Sequence, residues 1–360
     1  MKKFILPLLL CILMLVTGCS QPETEGPKAD IPKIITAPAG TLKVHFIDVG
    51  QADAILVQNS DQAMLVDAGN NADGELMVRY LNQQGIKKLQ VVIGTHPHED
   101  HIGGMDDVIK HFSVEQIYLP KVNHATETYQ DVLRAMKAKN IKATAASGGQ
   151  SFTLGDARVE ILAPNSSSYE ELNDYSIVSK ISFGETAFLL TGDAGILSEQ
   201  EMITKGYDLR ANVLKVGHHG SYTATGEKFL KAVNPQVAVI SVAAKNDYGH
   251  PHREILERLK TSKVEVYQTA QQGTLVLVSD GKKITVENQT ITTKGEVPIA
   301  KDTSVYVDKN AKGLIKGNIN KNGDKIYHLP GQRNYEQTKP EAWFKTEDEA
   351  VQAGFRRASR

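Results

Sequence analysis

The chain has 360 residues, of which 41% are hydrophobic and 23% charged, and its formal net charge at pH 7 is -1. This length has room for one domain of about 250 residues together with one small unit. The composition is that of an ordinary globular protein and excludes a strongly basic or disordered chain. Overall charge therefore gives no support for nucleic-acid binding, although bound metals can supply positive charge locally.

The amino terminus has the pattern of an exported lipoprotein. A basic start is followed by a 13-residue apolar stretch, residues 4–16, which is too short to cross a bilayer as a mature helix. Val16-Thr17-Gly18-Cys19 then resembles the bacterial lipobox. The resemblance implies cleavage before Cys19, lipidation of its thiol and an extracytoplasmic protein anchored to the cell membrane.

The other cysteine, Cys11, lies within the segment that would be removed, so the mature chain is expected to form no internal disulfide. Residues 20–40 are rich in Pro, Glu, Lys and Ala and have no periodic apolar pattern. We therefore predict a signal peptide at residues 1–18 and a flexible linker at residues 19–40.

Between residues 41 and 290, apolar stretches of strand length alternate with amphipathic stretches of helix length. The predicted strands cover residues 42–49, 54–58, 64–67, 91–94, 116–119, 158–162, 176–183, 187–191, 212–216, 237–242, 264–268 and 274–278. The predicted helices cover residues 75–84, 105–112, 129–139, 198–205, 227–233 and 253–259. Two β-rich halves with interspersed helices favour an α/β fold in which two sheets pack face to face beneath outer helices.

The stretch His96-Pro97-His98-Glu99-Asp100-His101 places three imidazoles and two carboxylates directly after a predicted strand. Packed together without a cation, these groups would desolvate and repel one another, whereas divalent metals accept both kinds of ligand. Alternate residues of an extended segment share a face, so His96 and His98 can bind one ion. Asp100 and His101, one turn further on, can then bind a second ion, and the stretch predicts a metal-binding loop.

Further residues of ligand type stand where later predicted strands end. Asp193 follows a buried-looking strand, His218 and His219 lie between two glycines, and His250 lies in a short loop before a helix. Each is on the carboxyl side of a predicted strand, where loops of a rigid sheet converge on one site. The alternatives are a helix-capping role for Asp193 and a purely structural role for any single histidine.

Two patterns resemble a known family. HxHxDH at residues 96–101, followed by Gly103-Gly104, resembles the signature of the metallo-β-lactamase superfamily. Phe46-Ile47-Asp48-Val49-Gly50-Gln51-Ala52-Asp53-Ala54 resembles the DVGQGDA opening of the ComEC-type competence hydrolase domain, with Ala52 in place of the usual glycine. Further stretches that match this subgroup in the same order are residues 66–69, 96–104, 173–176, 191–193, 215–221 and 248–251.

The resemblance covers roughly residues 42–287 and implies an αββα sandwich with two divalent metal ions, Zn or Mn. Because no long transmembrane array is present, it implies a free-standing hydrolase and not a DNA channel. Many superfamily members have one more histidine before the Gly-Asp motif, but residues 120–190 contain only His124. We therefore expect the ligands of one ion to be His96, His98 and His218, those of the other to be Asp100, His101 and His250, and Asp193 to bridge. His218 and His219 are alternatives for the same ligand position. His218 is favoured, because the glycine before it allows close approach of the backbone.

The remaining candidates have supporting roles. Asp100 is expected to orient the nucleophile, and His219, if it is not a ligand, to donate a proton or hydrogen bond to the substrate. Asp67 and Asp48 are expected to orient histidines from behind the ligands, with a strand-end hydrogen bond as the alternative. Neutral donors suited to phosphate oxygens, each of which could also be a turn residue, are Asn173, Ser176 and Ser221.

After a predicted linker at residues 291–310, residues 311–360 form a small aromatic-rich unit with 10 Lys and Arg against 6 Asp and Glu. The pattern resembles a module found in several secreted bacterial nucleases. Its aromatic and basic side chains could bind a polyanion by stacking and charge. The alternative is that the aromatic residues form the core of the unit.

Together these observations predict an extracytoplasmic, lipid-anchored, metal-dependent phosphodiesterase, with DNA as its substrate and no protein partner indicated. One alternative is a hydrolase of cell-wall or choline-linked phosphodiesters. Another is a non-catalytic surface protein whose metals only stabilise loops. A β-lactamase is a further possibility, but nothing in the sequence marks a β-lactam pocket.

Overall fold

The protein is described by a computed structural model that covers residues 40–288, 313–321, 323–330, 335, 337–346, 349–350 and 353–358. Residues 40–288 form two mixed sheets that pack face to face, with helices on both outer surfaces. The predicted αββα sandwich is therefore confirmed. The predicted signal peptide (1–18), the lipidation site Cys19, the linker at 291–310 and nearly all of the linker at 19–40 lie outside the described residues.

The strands are given in chain order. They are β1 (Leu42–Phe46), β2 (Ala54–Asn59), β3 (Gln62–Ala68), β4 (Lys88–Ile93), β5 (Ser113–Pro120), β6 (Ala143–Ala146), β7 (Ser151–Leu154), β8 (Ala157–Ala163), β9 (Val178–Phe183), β10 (Thr186–Leu190), β11 (Val213–Lys215), β12 (Val237–Ile240), β13 (Glu265–Gln268), β14 (Leu275–Ser279) and β15 (Ile284–Asn288). The helices are α1 (Gly74–Gln83), α2 (Glu99–Ile102), α3 (Met105–His111), α4 (Glu127–Ala138), α5 (Ile196–Thr204), α6 (Glu227–Val233), α7 (Arg253–Thr261) and α8 (Thr269–Gln272).

The first sheet has the order β15-β14-β1-β2-β3-β4-β5-β6 and the second β13-β12-β11-β10-β9-β8-β7. Strands β3 to β6 run parallel to one another, as do β10 to β13, and the other neighbouring pairs are antiparallel. The carboxyl ends of parallel neighbours meet at one edge of a sheet. Loops that follow β3, β4, β10, β11 and β12 are thereby brought to common edges.

Three apolar layers hold the sandwich together, because the strands bury both faces. In β3, Met64 and Val66 point into the layer between the sheets, while Ala63 and Leu65 point into the layer beneath α1, α3 and α4. This alternation follows from the two-residue period of a strand. A third layer lies between the second sheet and α5, α6 and α7. Strands buried on both faces read as continuous apolar stretches, which is why the sequence located most of them.

The strands that the sequence analysis missed are β6, β7 and β15, and each is an edge strand. In β6 and β7 only the last residue is buried, so neither strand shows an apolar stretch of its own. A second difference concerns the strand predicted at 176–183. It begins only at Val178, because Leu172–Tyr175 forms a short 3-10 helix before it.

The C-terminal unit contains a separate four-stranded sheet. Its strands are β16 (Ile315–Ile319), β17 (Lys325–His328), β18 (Ala342–Phe344) and β19 (Arg356–Arg357), in the order β18-β16-β17-β19. Tyr327, Phe344 and Phe355 are buried in its small core. Three of the aromatic residues therefore form the core of this unit, which was one of the two expectations for them. Among the described residues, no helix is both long enough and apolar enough to cross a membrane.

Candidate metal centre

The candidate centre is built from loops that leave parallel strands of both sheets. Asp67 stands near the end of β3, residues 95–101 follow β4, Asp193 follows β10, and His218 and His219 follow β11. The Gly-Gly pair after the histidine-rich loop allows close backbone packing. A Cβ atom on Gly103 would lie 2.2 Å from the backbone of residues 70 and 71, so only glycine fits there.

His101 is held in one orientation by Asp67. The Asp67 Oδ2 atom accepts a hydrogen bond from His101 Nδ1 at 2.8 Å. Thr95 fixes the carboxylate in turn, because its backbone N–H donates to Oδ1 and its hydroxyl to Oδ2, both at 2.8 Å. Since Nδ1 of His101 carries the donated hydrogen, its Nε2 atom presents a lone pair to the centre.

His219 is oriented in the same way by a backbone group. Its Nδ1 atom donates to the Ser241 carbonyl at 2.9 Å, and its ring is almost fully buried. The Nε2 atom lies 3.4 Å from Asp100 Oδ2 and 3.7 Å from Asp193 Oδ1. His219 and His218 both have positive φ, 51° and 50°, an uncommon conformation for residues other than glycine.

Three buried polar atoms in the centre have no hydrogen-bond partner, namely His101 Nε2, His219 Nε2 and Asp193 Oδ1. The two nitrogens lie 3.3 and 3.7 Å from Asp193 Oδ1. Buried polar atoms are almost always paired, and imidazole lone pairs facing a carboxylate oxygen are unfavourable unless a cation lies between them. With Asp100 Oδ2 beside them, these atoms form a donor set that fits a divalent metal ion.

The other oxygen of Asp193 faces a second group. Asp193 Oδ2 lies 4.0 Å from His96 Nε2 and 3.7 Å from His218 Nε2. His96 Nε2 is 2.9 Å from His98 Nδ1, a separation compatible with two nitrogens that share one ion. Asp193 therefore offers one oxygen to each group, as a bridging carboxylate would.

The electrostatics of the centre follow from burial and from opposite charges. Burial alone would lower the pKa of His101, but the carboxylates of Asp193, Asp100 and Asp67 outweigh it and raise the pKa well above its ordinary value. Burial would raise the pKa of Asp193, but His101 and His219 hold it well below its ordinary range. Without a metal ion, a second proton on His101 Nε2 would supply the positive charge that these carboxylates need, and a bound metal ion would take the place of that proton.

Seven predicted residues come together here: His96, His98, Asp100, His101, Asp193, His218 and His219. His250 was expected beside Asp100 and His101, but its Nδ1 atom is 3.3 Å from Gln51 Nε2 and its ring is 5.6 Å from that of His218. The ring that lies beside Asp100 is the buried ring of His219, which follows β11 in left-handed backbone conformation.

The three residues expected to bind substrate, and Asp48, which was expected to orient a histidine, each have a different environment in the structure. Asn173 Nδ2 lies 3.3 Å from both ring nitrogens of His218. Ser176 is fully buried, and its hydroxyl accepts the backbone N–H of Asp193 at 3.1 Å. Ser221 is buried and accepts hydrogen bonds from Thr223, so neither serine offers a free surface to substrate. Asp48 accepts the N–H of Gly50 at 3.2 Å, which is the strand-end bond that was its alternative.

Sequence reasoning missed a buried ion pair behind the histidines. Lys215 Nζ lies 2.9 Å from Asp53 Oδ2, with side chains 0% and 1% exposed. Asp53 Oδ1 is 3.7 Å from His219 Nδ1. Asp53 belongs to the stretch that resembles DVGQGDA, and Lys215 is a charged residue in a wholly buried strand. A lysine in such a strand is the sequence signal that could have identified the pair.

Comparison with known proteins gives two matching families. Residues 47–244 match the family model of the metallo-beta-lactamase superfamily. Residues 308–357 match the family model named ArfC.

Curated relatives match the larger domain. ComE operon protein 3 of Bacillus subtilis is 31% identical over 251 residues, which is 65% of this chain and 32% of the relative. Recombination protein 2 of Haemophilus influenzae is 32% identical over 239 residues, 65% of this chain and 28% of the relative. Competence protein ComA of Neisseria gonorrhoeae is 28% identical over 240 residues, 66% of this chain and 32% of the relative. The chain spans about a third of the length of these relatives.

Proposed function

The chain belongs to the metallo-β-lactamase superfamily and is a metal-dependent hydrolase related to competence proteins, and from this premise we propose that it cleaves phosphodiester bonds in DNA. The observation that carries the proposal is the position of Asp193. Its two oxygens face two separate groups of histidine nitrogens, and one oxygen is buried without a hydrogen-bond partner. A carboxylate in this position is suited to bridge two ions.

We assign four ligands to each ion. The first ion would be held by His96, His98, His218 and Oδ2 of Asp193. The second ion would be held by Asp100, His101, His219 and Oδ1 of Asp193. His219 replaces His250 in this assignment because its Nε2 atom is 3.4 Å from Asp100 Oδ2, so the role of proton donor is not retained for it. Nitrogen and carboxylate ligands of this kind suit either Zn or Mn.

When bound, two such ions acidify a water molecule and offset the negative charge of a phosphoryl group. In the hydrolysis, the water oxygen forms the new bond to phosphorus, one ester P–O bond breaks, and the leaving oxygen takes up a proton. Asp100 is suited to accept a hydrogen bond from the attacking water, because its side chain is 32% exposed whereas that of Asp193 is 3% exposed. Asn173, beside His218, is a neutral donor for a phosphate oxygen.

The choice of DNA rests on the relatives and on the C-terminal unit. The names of the relatives refer to competence and recombination. Residues 311–360 carry more basic than acidic side chains, and Trp343 is 39% exposed. We propose that this unit helps to retain a polyanionic substrate. Lipid attachment at Cys19 and an extracytoplasmic location remain predictions.

The test is cleavage of single-stranded and double-stranded DNA by protein that has been stripped of metal and reloaded with Zn²⁺ or Mn²⁺. Asp100→Asn and Asp193→Asn serve as matched variants, with circular dichroism to verify their folding. The proposal expects cleavage that needs metal and disappears in both variants, with two ions bound per chain. Hydrolysis of teichoic acid or choline-linked diesters without cleavage of DNA would indicate the cell-wall alternative. Bound metal without hydrolysis of any ester would indicate a binding protein.

A further inference from the structure

A continuous array of aromatic rings leads from the candidate metal centre to the protein surface. The ring of His218, whose Nε2 atom faces Asp193, lies 5.6 Å from the ring of His250. The His250 ring is 5.5 Å from that of Tyr248 in a stacked arrangement, and 4.8 Å from that of His252. The His252 ring is 4.9 Å from that of Tyr222. We call Tyr222, Tyr248, His250 and His252 the ring array.

The two outer members of the array are large aromatic side chains that the fold leaves open. Tyr222 is 62% and Tyr248 67% exposed, the highest values among the exposed large hydrophobic side chains of the described residues. Apolar surface of this kind beside a reaction centre is typical of a binding site. The two tyrosine rings are the ends of this series of contacts, with His250 and His252 between them, so they present two aromatic surfaces near one site.

The loops that carry the rings are held in place by hydrogen bonds. Asn246 accepts the backbone N–H of Tyr248 at 3.2 Å and that of His250 at 2.9 Å, and its amide donates to the His250 carbonyl at 2.8 Å. The backbone N–H of Tyr222 donates to His252 Nδ1 at 3.2 Å. The two tyrosines are therefore presented from ordered backbone, which reduces the entropy lost when a ligand binds them.

The chemistry of the exposed rings separates the possible substrates. Every nucleobase has a flat π-face that stacks on tyrosine, whatever the sequence. In a duplex these faces are covered by the neighbouring base pairs, whereas in a single strand they are free. Cell-wall polyol phosphates have no aromatic ring and would gain nothing from stacking on two tyrosines. The ammonium group of a choline ester can bind a tyrosine face by cation–π attraction, so choline esters are separated from DNA by the comparison of oligonucleotides with and without bases.

We propose that Tyr222 and Tyr248 are stacking sites for unpaired bases next to the scissile phosphate, so that the substrate of the metal centre is single-stranded DNA. This inference rests on the proposed phosphodiesterase function, because it concerns the same site. Tyr222 and Tyr248 are substrate-positioning residues in it, and the hydrolysis itself is left to the metal centre.

The experiment compares two single-stranded oligonucleotides of equal length, one of thymidine nucleotides and one of abasic tetrahydrofuran nucleotides. Both carry the same phosphates, so their difference reports on the bases alone. Cleavage is measured with metal-loaded protein, and binding is measured in parallel by fluorescence anisotropy in the presence of a chelator. The variants are Tyr222→Leu and Tyr248→Leu, each matched by the corresponding change to Phe.

We expect each Leu variant to lose about 5- to 150-fold in kcat/KM and in affinity for the thymidine strand, the range that base–aromatic stacking gives. Both quantities should stay unchanged for the abasic strand, and the Phe variants should behave as the wild type because they keep the ring. Base-dependent binding that depends on these rings without any cleavage would support the inference while refuting the proposed hydrolysis. Equal losses on both strands, or no loss on either, would overturn it.

Discussion

Removing the cation of the buried ion pair behind the histidines should destabilise the protein strongly. In the variant Lys215→Met a side chain of similar length replaces the lysine, and the Asp53 carboxylate is left without its partner at 2.9 Å. Coulomb attraction at that distance with an effective dielectric constant of about 20 is about 6 kcal/mol. Part of it offsets the cost of desolvating both charges, so breaking the pair should lower the free energy of unfolding by about 3–5 kcal/mol.

The assay is denaturant unfolding followed by circular dichroism, in the presence of a chelator so that metal binding does not contribute. The double variant Lys215→Met/Asp53→Asn removes the second charge as well, and should regain part of the lost stability. Lys180→Met is the matched control. Lys180 is also a buried lysine in a strand, but its partner Asp208 at 3.1 Å is 58% exposed and can be hydrated when left alone.

Two results would refute this reasoning. One is a Lys215→Met variant that loses no more stability than Lys180→Met, since the exposure of the partner carboxylate would then make no difference. The other is a double variant that is no more stable than the single one, because the loss would then come from packing and not from an unpaired charge.

Three further predictions concern other parts of the larger domain. Burial lowers the pKa of His45 from 6.5 to about 4, so folding favours the neutral form of its ring. The free energy of unfolding should therefore fall by about 3 kcal/mol as the pH drops from above 6.5 to 4. Unfolding measured across this pH range should give a flatter profile for His45→Gln, and an unchanged slope would contradict the assignment. The Thr223 hydroxyl lies 2.9 Å from Nδ1 of His218, so Thr223→Val should weaken metal binding about 10- to 100-fold in a chelator competition, whereas Thr223→Ser should retain it. Equal affinities for the Val and Ser variants would count against this contact. The buried Glu199 carboxylate accepts hydrogen bonds from two backbone N–H groups at the start of α6. Glu199→Ala should therefore lower the free energy of unfolding by about 2–4 kcal/mol. A loss smaller than that of Lys180→Met would show that water replaces the carboxylate.

The sequence by itself determined the layered fold and the grouping of residues in the first loop of the candidate metal centre. Strands that are buried on both faces, such as β10, must be apolar throughout, and they therefore stand out from their surroundings. The residues of the first loop are close in space because they are close in the chain, so the spacing of His96, His98, Asp100 and His101 already indicates their grouping. Edge strands such as β6 have little buried surface, and their residues carry no comparable signal.

Only the tertiary structure decided which residues from different strands meet. The parallel order of β10, β11 and β12 brings Asp193, His219 and the Ser241 carbonyl together, although long stretches of chain separate them. The sequence favoured His218 over His219 as a ligand, but the left-handed backbone at both residues directs one ring to each oxygen of Asp193. Backbone conformation and sheet order arise from packing across the whole domain, so they cannot be obtained from the spacing of residues within one motif.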